Sequence, residues 1–151
     1  MTRRILILAL ALLALSVGSA SAASPDRVIH TKSSTGLQLM TAYSTLLVKK
    51  DLPALTALLA PSFQIQRADG SHATRAQYLA KLPDLRAFAF DDSTATRSGD
   101  VITFRALATS TLFINGAMYS PDPAPQMAVF RWRSGAWSVV AQGNFNLPKT
   151  S

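Results

Sequence analysis

The chain has 151 residues, enough for one domain with its own core, and no cysteine, so neither a disulfide nor a thiolate-bound metal is open to it. Fifteen lysines and arginines stand against eight acids, every one an aspartate, for a formal charge of +7. These basic residues are scattered, with no run longer than Lys49-Lys50, which excludes the clustered basic face that nucleic-acid binding needs.

Residues 1–22 read as a secretory signal peptide. Arg3 and Arg4 give the positive start, Ile5 to Leu15 is unbroken apolar sequence, and Ala20-Ser21-Ala22 is a small-x-small cleavage site, with cleavage expected after Ala22. The apolar run is short for a bilayer span. The product is therefore expected to be periplasmic or secreted, with no membrane attachment once the signal is removed. Loss of Arg3 and Arg4 lowers the formal charge from +7 to +5. Residues 23–34 are polar and irregular and read as a flexible arm, with His30 solvated in it. Residues 35–147 read as a single domain.

From about Thr35 to Lys50 the pattern is an amphipathic helix, with Leu39, Met40, Tyr43, Leu46 and Leu47 on one stripe. Asp51 is a good N-cap and Pro53 suits a first turn, so a second helix carries Leu52, Leu55, Leu58 and Leu59 and is expected to end at Pro61. Phe63, Ile65 and Arg67 then alternate with Gln64 and Gln66 in strand fashion up to the turn pair Asp69-Gly70. Thr74 with Gln77 forms a capping box for a short third helix bearing Tyr78, Leu79 and Leu82, stopped by Pro83.

The rest reads as strands. Residues 86–97 carry Phe88 and Phe90 on one side, and Ser98-Gly99-Asp100 is a turn. Residues 101–115 put Ile102, Phe104, Ala106, Ala108, Leu112 and Ile114 on one face and Thr103, Arg105, Thr109 and Thr111 on the other. Residues 121–125 are a proline loop. Residues 127–133 and 136–146 form the last two strands around Ser134-Gly135. Helices followed by antiparallel strands imply an α+β domain, three N-terminal helices packed on a curved antiparallel sheet in a cone with an apolar mouth.

Taken together, Tyr43, the run Lys50-Asp51-Leu52-Pro53-Ala54-Leu55, Ala60-Pro61-Ser62-Phe63, Asp69-Gly70, Thr74-Arg75 and Gly135-Ala136-Trp137-Ser138-Val139-Val140 resemble the nuclear-transport-factor-2-like superfamily. The likeness is to its SnoaL-like and ketosteroid-isomerase-like bacterial members, and it covers about residues 35–145. That superfamily holds isomerases, cyclases, dehydratases, hydrolases and many non-catalytic binding or dimerisation modules. The resemblance places the isomerase's oxyanion tyrosine on Tyr43, its base at or near Arg67 and its protonated acid near Ala128. Arginine does not take up a proton at ordinary pH and alanine donates nothing, so isomerase chemistry by that route is not expected. The resemblance also implies a cavity lined by Tyr43, Phe63, Ile65, Arg67, Phe104, Phe130 and Trp132, with Trp137 as core.

Arg67 is the informative oddity: its guanidinium fork suits a carboxylate or phosphate, against the plainer reading of a strand-end arginine snorkelling to water or paired with Asp69 or Asp92. Asp92 shares parity with Phe88 and Phe90 and could enter the cone; His72 could act as acid or base. These two are the weak catalytic candidates. His72 has no spaced partner, so no metal site is expected, and no cofactor is implied. Gln142 and Asn144 have the opposite parity to Trp137 and are expected to face solvent or a partner. The expectation is an exported binding or accessory domain for a small organic or anionic ligand. The alternatives are a SnoaL-like enzyme of unassigned reaction and a dimerisation module. A homodimer would use the sheet face that carries Arg105, Arg131 and Arg133.

Overall fold

The computed structural model describes residues 23–114, 117–118 and 122–145. The signal segment 1–22 lies outside the described residues, as do Asn115 and Pro121 of the expected strand and loop and residues 146–147 of the domain. Among the described residues no helix is long and apolar enough to cross a membrane.

The helices begin where their side chains can hold the first free N–H groups. Helix α1 is Pro25–Ile29. In α2, Gly36–Lys49, Thr35 Oγ1 accepts from Gln38 N at 3.2 Å and Gln38 Oε1 accepts from Thr35 N at 2.8 Å, a complete capping box. Helix α3, Leu52–Leu58, starts on Asp51, whose carboxylate takes the Ala54 N–H at 3.1 Å. The same box recurs at Thr74 and Gln77 for α4, Arg75–Ala80.

Strands β1 (Leu59–Gln66), β2 (His72–Thr74), β3 (Asp84–Ser98), β4 (Val101–Ile114), β5 (Ala117–Met118), β6 (Ala124–Arg133) and β7 (Ala136–Asn144) build one sheet. Its order is β2-β1-β7-β6-β4-β3, with β5 on β4. All pairs are antiparallel except β1 with β7, which run parallel, so the sheet is mixed rather than purely antiparallel. Pro61 does not end α3. The helix stops at Leu58 and the chain goes straight into β1, where Pro61 lies between Leu59 and Gln64, the stretch in which the pairing with β7 shifts register. A residue without an N–H is tolerated there because no ladder bond is asked of it. The proline loop is also shorter than expected, since Ala124 and Pro125 already belong to β6.

Three bulges decide which side chains reach the interior. Leu85 pairs with Leu112 and Ala87 with Thr111, so Arg86 is extra, and Leu85 and Phe88, three apart, both line the cavity. Asp91 pairs with Leu107 but Thr94 pairs with Arg105, so Asp92 and Ser93 together oppose one residue of β4. Asp92 takes φ +43°, the left-handed conformation of a bulge, and beyond it the parity of β3 is inverted. In β7, Ala141 pairs with Val129 while Val139 pairs with the next residue, Phe130, leaving Val140 as the extra one. Trp137 and Val139 point inward before this bulge and Gln142 after it, all of them buried.

The core fills the space between α2 and the sheet. Leu39, Met40, Tyr43, Leu46 and Leu47 meet Phe63, Ile65, Ile102, Phe104, Phe130, Trp137 and Val139. Residues 25–34 are no loose arm. Val28 and Ile29 join the core, Trp137 Nε1 donates to Thr31 O at 3.0 Å, and Arg97 Nη2 donates to Lys32 O at 2.6 Å. Arg97 also lies over the Trp137 ring, 5.0 Å from its centroid. Two apolar side chains packed into the core, chiefly along α2, outweigh the polar character of the stretch. His30 is exposed as expected, with its Nδ1 3.2 Å from Gly135 O.

Candidate functional site

Between the helices and the far half of the sheet lies a cavity of about 80 Å³. Its apolar wall is Leu47 of α2, Ile65 of β1, Leu85, Phe88 and Phe90 of β3, and Ala108, Leu112 and Ile114 of β4. Ser44, Ser110, Tyr78, Gln126, Gln142 and Asn144 supply uncharged polar groups. Arg67 and Asp122 are its charged lining residues, Arg67 half-buried and Asp122 exposed. Arg67 is also part of a second, outer cleft of about 350 Å³ with Asp69, His72 and Lys81.

The polar wall is one connected chain. Tyr43 Oη donates to Gln142 Oε1 at 2.8 Å, and the Tyr43 and Tyr78 oxygens are 2.8 Å apart. A phenol has one proton, and that of Tyr43 is already given to Gln142, so Tyr78 donates to Tyr43. Beyond Gln142, its Nε2 donates to Asn144 Oδ1 at 3.3 Å and Gln126 Nε2 donates to the same oxygen at 2.7 Å. Burial pushes the Tyr43 hydroxyl well above the usual tyrosine range, with Tyr78 adding to the rise. Burial likewise raises Tyr78 to about 12. The positive charge of Arg67 pulls both the other way, so it is felt at the polar wall. Arg67 is set by the turn that follows β1: its N–H donates to Ser71 O at 2.8 Å, and its Nη1 lies 3.5 Å from Ser71 Oγ.

Of the residues expected to line the cavity, Ile65 and Arg67 do so. Tyr43 sits behind the wall and reaches it through Tyr78 and Gln142. Phe63, Phe104 and Phe130 are packed core, each 1% exposed or less, because they lie at the crowded centre of the sheet under α2. Trp132 is half-buried against Trp137, ring centroids 5.5 Å apart, at the other end of β6 from the cavity. Neither catalytic candidate reaches the cavity. Asp92 is turned outward by its bulge and meets Arg105 Nη1 at 3.3 Å in the open, and His72 is exposed on the edge strand β2. Gln142 and Asn144, expected outside, are inside because of the Val140 bulge.

Tyr78, Gln126 and Asp122 were not expected at the cavity. For Tyr78 a signal exists, since it is the polar member of an apolar helix face. Gln126 was hidden by placing the strand start three residues late, and Asp122 by its proline-rich surroundings. Among the described residues no three His or Asp side chains are grouped to hold a metal ion. What remains is a pocket with an apolar body, neutral hydrogen-bonding groups, and one cation and one carboxylate, Arg67 and Asp122, in its lining. Such a site can hold and orient an amphipathic molecule.

No family model and no curated protein sequence matches the chain. Solved structures do. An NTF2-like protein from Cytophaga hutchinsonii superposes with a TM-score of 0.62 at 17% identity, covering 68% of this chain and 88% of its own. An NTF2-like protein of unknown function in nutrient uptake from Rhodospirillum rubrum gives 0.60 at 20% identity, covering 69% and 91%. A protein with a cystatin-like fold from Caulobacter vibrioides gives 0.60 at 13% identity, covering 75% and 87%. At such identities the likeness is one of fold.

Proposed function

We propose that this protein, whose fold is the nuclear-transport-factor-2-like one, is an exported binding domain for a small amphipathic anion. The apolar body of the ligand lies between Leu47, Leu85, Phe88 and Leu112, and its acid group is taken by Arg67. The observation that carries this reading is that, among the described residues, Arg67 is the one cationic residue lining a pocket whose body is apolar, with the exposed Asp122 as its other charged residue. A guanidinium beside low-dielectric walls attracts an anion more strongly than one in open water.

Size narrows the class. An engineered cavity of roughly 150 Å³ is filled by benzene, and this one is about 80 Å³. A sterol or fused polyketide body is too large for it. A short branched carboxylate fits it, and a single-ring acid enters only with part of its ring and its acid group left at the mouth. Export is supported by the signal-like start and by a folded element, α1, that begins three residues after the expected cleavage point. A secreted or periplasmic product whose mass begins at Ala23 is the expected outcome of expression in a bacterium with fractionation.

The test is thermal unfolding of the chain from Ala23 with benzoate, phenylacetate and isobutyrate, each beside its uncharged amide. A ligand that binds only the folded state raises the midpoint with concentration. The acids should do so and the amides should not, and Arg67→Gln should weaken the acids by about tenfold or more, the range of a lost charged hydrogen bond. Equal shifts by acid and amide, or no shift at all, would overturn the reading. The enzyme alternative draws less support, because Asp92 and His72 both stand outside the pocket.

A second copy of the chain is a further candidate partner, through the outer face of the sheet. There the paired rows Thr103–Val129–Ala141 and Arg105–Met127–Gly143 put apolar side chains in the middle, Met127 being 42% exposed. Arg105, one of the charges that would oppose such a seam, is already met by Asp92. A mass measured in solution at several concentrations distinguishes dimer from monomer.

A further inference from the structure

One buried atom beside the cavity is left unused by the fold. Gln126 Oε1 is buried and accepts no hydrogen bond, although the Nε2 of the same side chain is held by Asn144 at 2.7 Å. Buried amide oxygens nearly always have a donor. This one lies on a residue that lines the cavity.

The donors that the polar chain shows go to other acceptors. The proton of Tyr43 goes to Gln142 Oε1, so that of Tyr78 goes to Tyr43, and Gln142 Nε2 turns to Asn144 Oδ1. With its proton spent inside the wall, Tyr78 has only oxygen lone pairs left to offer the cavity. The linked polar chain therefore holds two acceptors on cavity-lining residues, Gln126 Oε1 and Tyr78 Oη, beside the carboxylate of the exposed lining residue Asp122. The hydrogen bonds that hold the wall together turn the phenolic protons and the Gln142 amide inward on one another. The cation at the rim is the opposite kind of group, a donor.

Resting on the reading of this cavity as an anion-binding pocket, we infer that its ligand carries a hydrogen-bond donor on its apolar body as well as an acid group. The class is a small hydroxy- or N–H-bearing carboxylate, with its acid on Arg67 and its donor on Gln126 Oε1. A plain hydrocarbon acid would leave the Gln126 oxygen as unpartnered as before and gain nothing from the polar wall. A methyl ether in place of the hydroxyl would fill the same space but offer only another acceptor.

The experiment is a calorimetric titration of the chain from Ala23 with benzoate, its three monohydroxy isomers and the matching methoxybenzoates, and with butyrate and 3-hydroxybutyrate. At least one hydroxy acid should bind about tenfold tighter than its parent, the upper end of what one new hydrogen bond supplies, and its methoxy analogue should not. In Gln126→Met the ratio of hydroxy to parent acid should fall to about one. The first comparison uses the unaltered protein, so it holds whether or not that variant folds. If parent and hydroxy acids bind equally throughout, water serves the Gln126 oxygen and the inference is overturned, while the anion pocket stands. A preference that survives in a folded Gln126→Met overturns the assignment to Gln126. Failure of every acid to bind overturns both.

Discussion

Tyr43 gives its proton to Gln142 and receives one from Tyr78, so its removal strands a donor and an acceptor at once. Tyr43→Phe should lower stability by about 1–3 kcal/mol, the cost of buried groups left without partners. Tyr78→Phe should cost less, because Tyr43 then loses a donor but keeps its own bond to Gln142; denaturant unfolding of both variants checks the order. The two phenols also set the alkaline limit. Their folded pKa values lie above the ordinary 10.0, Tyr78 at about 12 and Tyr43 higher than usual by burial. The folded state thus holds protons that the unfolded chain gives up, and stability is full below pH 10 and falls as the pH climbs towards 12. In Tyr119→Phe, which leaves Tyr43 and Tyr78 as the two tyrosines, tyrosinate absorbance should appear with unfolding, not before it, and a smooth rise in the folded variant would contradict this. Arg67 was legible in the sequence because three alternating residues placed it beside Phe63 and Ile65. Asp92 was misread because parity counted from Phe88 and Phe90 is valid only while the strand is regular.

The elements whose ends are written in side-chain chemistry were the readable ones. Thr35 with Gln38, Asp51, and Thr74 with Gln77 each mark a helix start that the fold then uses. The bulges had no such mark. The extra residue in β7 is Val140, a good strand former with nothing to distinguish it from Val139, and the cause of the bulge lies in pairing with both β1 and β6. The parallel match of β1 with β7 was equally hidden, since it joins the first strand to the last and has no local signature. Close packing of α2 on the sheet is another tertiary fact, and it rests on Gly36. A Cβ there would stand 2.7 Å from Ala95 Cβ and 3.2 Å from both Ile102 Cγ2 and Phe104 Cδ2. Gly36→Ala should therefore destabilise by about 1–3 kcal/mol despite the better helix propensity of alanine, as overpacking of a rigid neighbourhood does. A melting temperature equal to or above that of the parent would show that the first turn of α2 can move away.

For the molecule as a whole, the order of helices and strands was enough to give an α+β domain, because apolar helix faces must cover a sheet. What it could not give was the part played by residues 25–34, whose composition resembles a tail. Val28 and Ile29 are 6% and 9% exposed, and losing them forgoes about 1.5–3 kcal/mol each. Deleting residues 23–31 should thus remove a large part of a typical domain stability of roughly 5–15 kcal/mol. It should also shift tryptophan emission to the red, since Trp137 loses the Thr31 carbonyl and its indole N–H turns to water. Unchanged emission and unfolding would mean that the stretch is dispensable. This same clamp has a directional consequence. It grips the β6–β7 turn at Gly135 and the β3–β4 turn at Asp100, through His30 and Lys32, whereas the cavity opens at the opposite ends of those strands, by Ile114, Ala124 and Asn144. A protein tethered through its N-terminus, to a leader, a fusion partner or a sensor surface, is held like a cup by its base. One tethered past Phe145, whose N–H bonds Pro125 O at 2.9 Å beside the rim, has its attachment at the lip.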